Sequence, residues 1–156
     1  MGYDLGGLRP SCKTGVYFRN NIWWWHQLAG YVQSMCADCM TKKELNGYWH
    51  SNDGQIISAR STVKIAAKLK KLIASGKVKQ HQLAYYKKLR KLPKERCRYC
   101  EGTGKRATGV SRRKVTCTEC KGKGKVSPLA MSYPFTEQNV REFMKFCAGS
   151  GGFRIC

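Results

Sequence analysis

Residues 97–104 read Cys97-Arg98-Tyr99-Cys100-Glu101-Gly102-Thr103-Gly104, and residues 117–124 read Cys117-Thr118-Glu119-Cys120-Lys121-Gly122-Lys123-Gly124. Both are the unit Cys-x-x-Cys-x-Gly-x-Gly. Sixteen residues separate the two cysteine pairs, within the usual spacing of a four-thiolate zinc ribbon. Two residues between thiolates let one tight knuckle present both sulfurs to a tetrahedral ion. The glycines permit positive φ and close backbone approach, so that N–H groups can turn toward sulfur. The pattern predicts one structural Zn2+ on Cys97, Cys100, Cys117 and Cys120; the alternative is a redox dithiol. Four thiolates leave no open coordination position, so the ion is expected to be structural rather than catalytic.

Around this repeat the charge is one-sided. The 156-residue chain carries 30 Lys and Arg against 9 Asp and Glu, a net charge of +21, beyond what solubility requires. Between Arg60 and Lys125 stand 22 of the basic residues and only the acids Glu95, Glu101 and Glu119. Such an excess calls for a polyanionic partner, nucleic acid first and an acidic protein surface second. A zinc-held arm with almost no apolar core, bearing Arg96, Arg98, Lys105, Arg106, Arg112, Arg113, Lys114, Lys121, Lys123 and Lys125, is suited to phosphate contact. Tyr99 could stack on a base or simply pack. Lys68, Lys71, Lys87 and Lys88, on two predicted basic helices, would extend the surface; taken alone they are ordinary solvated faces.

The flanks look like core material. Residues 1–10 read as an irregular or extended lead-in, and Val16-Tyr17-Phe18 as a short strand. Asn20 or Asn21 can cap a helix over 21–35 with Trp24, Trp25, Leu28, Tyr31, Val32 and Met35 at helical spacing. Trp23, Trp24 and Trp25 cannot all face one core, so Trp23 or Trp24 is open to the far side or to a partner. Residues 36–54 are turn-rich. A helix from Ser58 or Ser61 carries the stripe Ile65, Ala66, Leu69, Leu72 and Ile73 and stops at Gly76. A second, over 79–91, has Leu83, Tyr86 and Leu89 or Arg90 at its seam and ends at Pro93. Thr136 caps a last helix with Val140, Phe143, Met144 and Cys147 inward, and residues 153–156 return as a strand.

The paired repeat resembles half of the cysteine-rich zinc region of DnaJ-type co-chaperones, which has four such repeats. With two repeats and no His-Pro-Asp motif, the chain departs from that family, and the resemblance implies the zinc hairpin rather than the co-chaperone role. A similar two-repeat element occurs in lambdoid phage Q-type antiterminators, which act on RNA polymerase and DNA. More broadly, Tyr17-Phe18-Arg19-Asn20-Asn21-Ile22-Trp23-Trp24-Trp25, Ser51-Asn52-Asp53-Gly54, Asn139-Val140-Arg141-Glu142-Phe143 and Ser150-Gly151-Gly152-Phe153 look like pieces of small phage and prophage proteins. That likeness implies a phage origin, with roles in transcription or against host defence. The expected fold class is α+β: a small, mostly helical mixed core over 1–94 and 127–156, with a DnaJ-like four-cysteine zinc hairpin module inserted at 95–126.

Other constellations carry less. Cys36-Ala37-Asp38-Cys39 is a further Cys-x-x-Cys that Cys12, His26 and His50 could complete, against the plainer reading of free or buried thiols. His50 with Asp53 has no nucleophile or paired carboxylate beside it, and 9 acids make a metal-dependent nuclease hard to assemble; a non-enzyme is expected. No apolar run reaches the ~20 residues needed to span a bilayer, and residues 1–10 lack the order of a secretory signal. The expected location is cytoplasmic, the host bacterial cytoplasm if phage-encoded. The function expected is nucleic-acid binding, DNA or RNA, through phosphates. The alternative is an inhibitor docking on a host defence or transcription complex.

Overall fold

The computed structural model describes residues 2–107 and 113–156. The chain divides into two units, one of residues up to Tyr86 together with 133–156, the other of residues 87–132. It mixes helix and sheet, compatible with α+β.

The first unit is built on a four-stranded antiparallel sheet in the order β2-β1-β8-β3, from β1 (Gly2–Gly7), β2 (Tyr17–Asn21), β3 (Ile56–Ile57) and β8 (Phe153–Ile155). Of the two readings of the amino-terminal lead-in, irregular or extended, residues 2–7 take the extended one, as an inner strand of the sheet. Tyr3 and Leu5 alternate inward between less buried neighbours, as one-sided strands require. Its glycines hide it from β propensity, yet Gly7 is needed: a Cβ there would lie 2.0 Å from the Gly15 carbonyl oxygen. Leu5 sits opposite Phe18 on one side and Ile155 on the other.

Helix α1 (Ile22–Met35) is capped by Asn21, whose side chain accepts from the Trp24 N–H at 3.1 Å. Trp25 is fully buried, 6.1 Å from and nearly parallel to Trp49; its Nε1 donates to the Trp49 carbonyl at 2.6 Å. Trp24 is half-buried and Trp23 is 38% exposed, edge-on to Tyr133 at 4.8 Å, so the tryptophans divide between core and surface as their spacing demands. The turn-rich stretch holds more than turns: α2 (Lys42–Leu45) with a Thr41–Glu44 capping box, and the buried Trp49.

Helix α3 (Ala59–Ala74), capped by Ser58, buries Ile65, Ala66, Leu69, Leu72 and Ile73. It packs on α5 (Glu137–Gly149), which Thr136 caps and which contributes Val140, Phe143, Phe146 and Cys147, with Met144 half-buried. Phe18, Phe143, Phe146 and Phe153 meet at centroid distances of 5.4 to 6.2 Å, an aromatic centre for the sheet–helix core. In α4 (Lys77–Arg90) the buried positions are Val78 and Leu89, with Tyr85 and Tyr86 half-buried, while Leu83 is 62% exposed. Leu83 therefore leaves the predicted seam. Among the described residues no helix is long and apolar enough to cross a membrane.

Candidate metal centre and basic module

In the second unit, β4 (Glu95–Arg96) pairs with β7 (Lys125–Val126), and β5 (Lys105–Ala107) with β6 (Lys114–Thr116), all antiparallel. Between them lie two knuckles with matching backbone geometry. Cys97 N–H donates to the Gly124 carbonyl and Cys117 N–H to the Gly104 carbonyl, each at 2.9 Å. Within each knuckle Gly102 N–H reaches Cys97 O, and Gly122 N–H reaches Cys117 O, at 3.2 Å. The Gly104 and Gly124 N–H groups donate to the Cys100 and Cys120 Sγ atoms at 3.2 Å, the arrangement the glycine spacing predicts. Thus the sequence repeat is a structural repeat.

All four cysteines are buried, and their Sγ atoms lie within 4.8 Å of one another. Cys97 and Cys117 Sγ are 3.9 Å apart, Cys100 and Cys120 Sγ 3.6 Å. A tetrahedral ion with bonds of about 2.3 Å to sulfur requires sulfur–sulfur edges of about 3.8 Å, so the cluster could hold a metal ion such as zinc. The neighbouring Cys97 and Cys100 thiols titrate together: burial acts to raise both, the Gly104 N–H helps bring Cys100 down to about 7, and Cys97 is pushed up to about 11, so ligation rests on the sulfur geometry and on deprotonation by the ion. Besides the sulfurs, the apolar side chain packed on this centre among the described residues is Val126, half-buried.

The module's cations are exposed around this centre. Arg96 is on β4, with Nε donating to the Glu101 carbonyl at 2.6 Å. Arg98 flanks Cys97, and Lys105 and Arg106 lie on β5. The Arg106 guanidinium stands 5.7 Å from the centroid of Tyr99, itself 63% exposed. Arg113 and Lys114 precede or begin β6, Lys121 and Lys123 lie in the second knuckle and Lys125 on β7. Arg112 lies outside the described residues. A cleft of about 560 Å3 gathers Lys94, Arg96, Lys123 and Lys125 over Gly102 and Gly124, with Glu101 as its only acid. Lys94 was outside the predicted arm; its place before β4, the strand that pairs with the Lys125 strand, is the signal that would have found it.

The helix lysines separate. Lys87 and Lys88, exposed at the end of α4, belong to the unit of the metal centre; Lys68 and Lys71 on α3 belong to the other. Lys68 pairs with Asp38, so part of its charge is neutralised locally.

Among the described residues the Cys97, Cys100, Cys117 and Cys120 group is the only one of three or more potential ligands close enough to share an ion. Cys36 and Cys39 are not completed by Cys12, which is exposed, or by His26 and His50. Burial pushes the Cys36 thiol up to about 12, the state of an inert core thiol. His26 and His50 instead stack on each other at 4.6 Å. No protein-family model matches the chain, and neither a curated protein nor a solved structure is similar to it.

Proposed function

We propose that the second unit is a DnaJ-like module organised by one Zn2+ that binds nucleic acid through its phosphates. The observation that carries the reading is the cleft of Lys94, Arg96, Lys123 and Lys125 over the two knuckles. Four cations and one carboxylate line it, with Arg96 and Lys125 rooted on the paired strands β4 and β7. Phosphate contacts of this kind supply affinity and orientation without base readout. Four thiolates saturate the ion, so its part is to hold the module in shape, and the activity is binding rather than catalysis. The likeness of residues 17–25, 51–54, 139–143 and 150–153 to small phage proteins supports a regulator or counter-defence factor of phage origin acting in the host cytoplasm.

The test is binding of labelled single-stranded RNA, single-stranded DNA and duplex DNA to the zinc-loaded protein and to a Lys94/Arg96/Lys123/Lys125→Ala variant. The quadruple variant is expected to lose at least about a hundredfold in affinity at low salt, with zinc content unchanged. Equal affinity of the two proteins would remove the cleft from the binding surface. Absence of binding by either would transfer the charge to an acidic protein partner, such as a host defence or transcription complex.

A further inference from the structure

A second cleft, of about 660 Å3, lies in the other unit, where β2 ends and α1 and α5 begin. Its lining joins the Arg19-Asn20-Asn21 and Trp24 segment to Gln138, Asn139 and Glu142. These pieces are distant in sequence, and the metal centre makes no use of them. One indole, one guanidinium, one carboxylate and several carboxamides share a single concavity.

The hydrogen bonding inside the cleft is incomplete. Asn139 is 8% exposed and spends its Oδ1 on Asn20 Nδ2 at 3.1 Å; its own amide hydrogens meet no acceptor among the described residues. Glu142 accepts from Gln138 Nε2 at 2.7 Å through Oε1 alone, leaving Oε2 without a partner there. The Asn139 amide nitrogen is not sealed from solvent, so its hydrogens are open to an acceptor carried by a ligand. Arg19, its side chain 66% exposed and 3.5 Å from Asp4, stands on the same lining.

We infer that this cleft seats one nucleobase that offers ring N–H and amino donors together with a carbonyl acceptor, guanine above the other bases. The Trp24 indole supplies a face for stacking. The Glu142 carboxylate accepts the two adjacent N–H donors of guanine, the Asn139 amide donates to its carbonyl edge, and Arg19 meets the attached phosphate. The base belongs either to a free nucleotide or to a single-stranded segment. This inference does not rest on the phosphate face of the metal module, and either can fail alone.

The experiment is titration of the full-length, zinc-loaded protein with GMP, AMP, CMP and UMP, then with the four homotetranucleotides, following tryptophan fluorescence and calorimetric heat. Saturable binding with guanine favoured by about tenfold or more is expected. Saturation by GMP assigns a free-nucleotide seat; saturation by the guanine tetranucleotide alone assigns a strand seat. Glu142→Gln, at an exposed position, should abolish the guanine preference while leaving the thermal transition in place, and Trp24→Phe should weaken every base together. No saturable response to any of the eight probes, or an unchanged base preference in Glu142→Gln, would overturn the inference.

Discussion

At Gly104 a Cβ atom would lie 2.2 Å from the Gly122 carbonyl oxygen, and at Gly124 the same distance from that of Gly102. Both also have positive φ, 74° and 69°, which L side chains adopt at a cost. Each N–H donates to a cysteine sulfur, so neither site can shift without disturbing a ligand. Gly104→Ala or Gly124→Ala should therefore lower zinc affinity about 10- to 100-fold, measured by competition with a chromogenic chelator. Glu44 is the corresponding pivot of the other unit. Its carboxylate accepts from the Thr41 N–H and Oγ1, the Ser58 N–H and the Ser61 Oγ at 2.8 to 2.9 Å. Burial acts to raise its pKa, but these donors prevail and hold it at about 2. A depressed carboxyl stabilises the fold above its unfolded value of about 4.3 and ceases to do so as pH falls from there toward 2. Glu44→Ala should cost about 2–4 kcal/mol at neutral pH by stranding those donors. It should also flatten the acid limb of stability, read from urea unfolding between pH 2 and 5.

At the scale of elements, what was legible from sequence is what is local. The Cys-x-x-Cys-x-Gly-x-Gly copies fix their own turns, and the knuckles follow from eight residues each. Asn21, Ser58 and Thr136 announce helix starts through short-range caps, and the stripes of α3 and α5 follow from 3.6-residue periodicity. Strand β1 was legible only as one of two readings of the lead-in, because Gly2, Gly6 and Gly7 lack the side chains by which a strand is recognised, and its inner place depends on pairing with β8 about 150 residues away. Glu44 and Trp49 were hidden inside a stretch of turn residues, their burial set by Trp25 and Ser58. On α4 two phases of the same periodicity compete, and Val78 with Leu89 prevails over Leu83. Leu83→Ala should accordingly change stability by no more than about 0.5 kcal/mol, whereas Leu69→Ala on α3 should cost about 2–5 kcal/mol, both from denaturant midpoints. The cationic cleft was legible in part: the arm's charges were evident, but which of them converge depends on the β4–β7 pairing.

The whole molecule has two stabilising centres of different kinds. One is an aromatic and aliphatic core spread over the sheet, α1, α3 and α5; the other consists of four cysteines with Val126 beside them. With only the four cysteines and Val126 clustered among its described residues, the module would depend on a bound ion for its fold, while the larger unit carries its own core. All four tryptophans, Trp23, Trp24, Trp25 and Trp49, lie in the larger unit. Stripping the metal with a strong chelator should leave tryptophan emission and the main thermal transition in place while the module loses protection in amide hydrogen exchange. Loss of both together would mean that the two units fold as one. If the metal-held cations bind phosphate, the salt dependence of oligonucleotide affinity for the zinc-loaded and metal-stripped protein will show it. For the loaded protein, the logarithm of affinity should fall against the logarithm of salt with a slope of about −3 on duplex DNA, as engagement of three to four phosphates requires, and the stripped protein should bind far more weakly with a shallower slope. A slope near zero, or the same slope and affinity with and without the ion, would mean that the metal-held module does not bind phosphate.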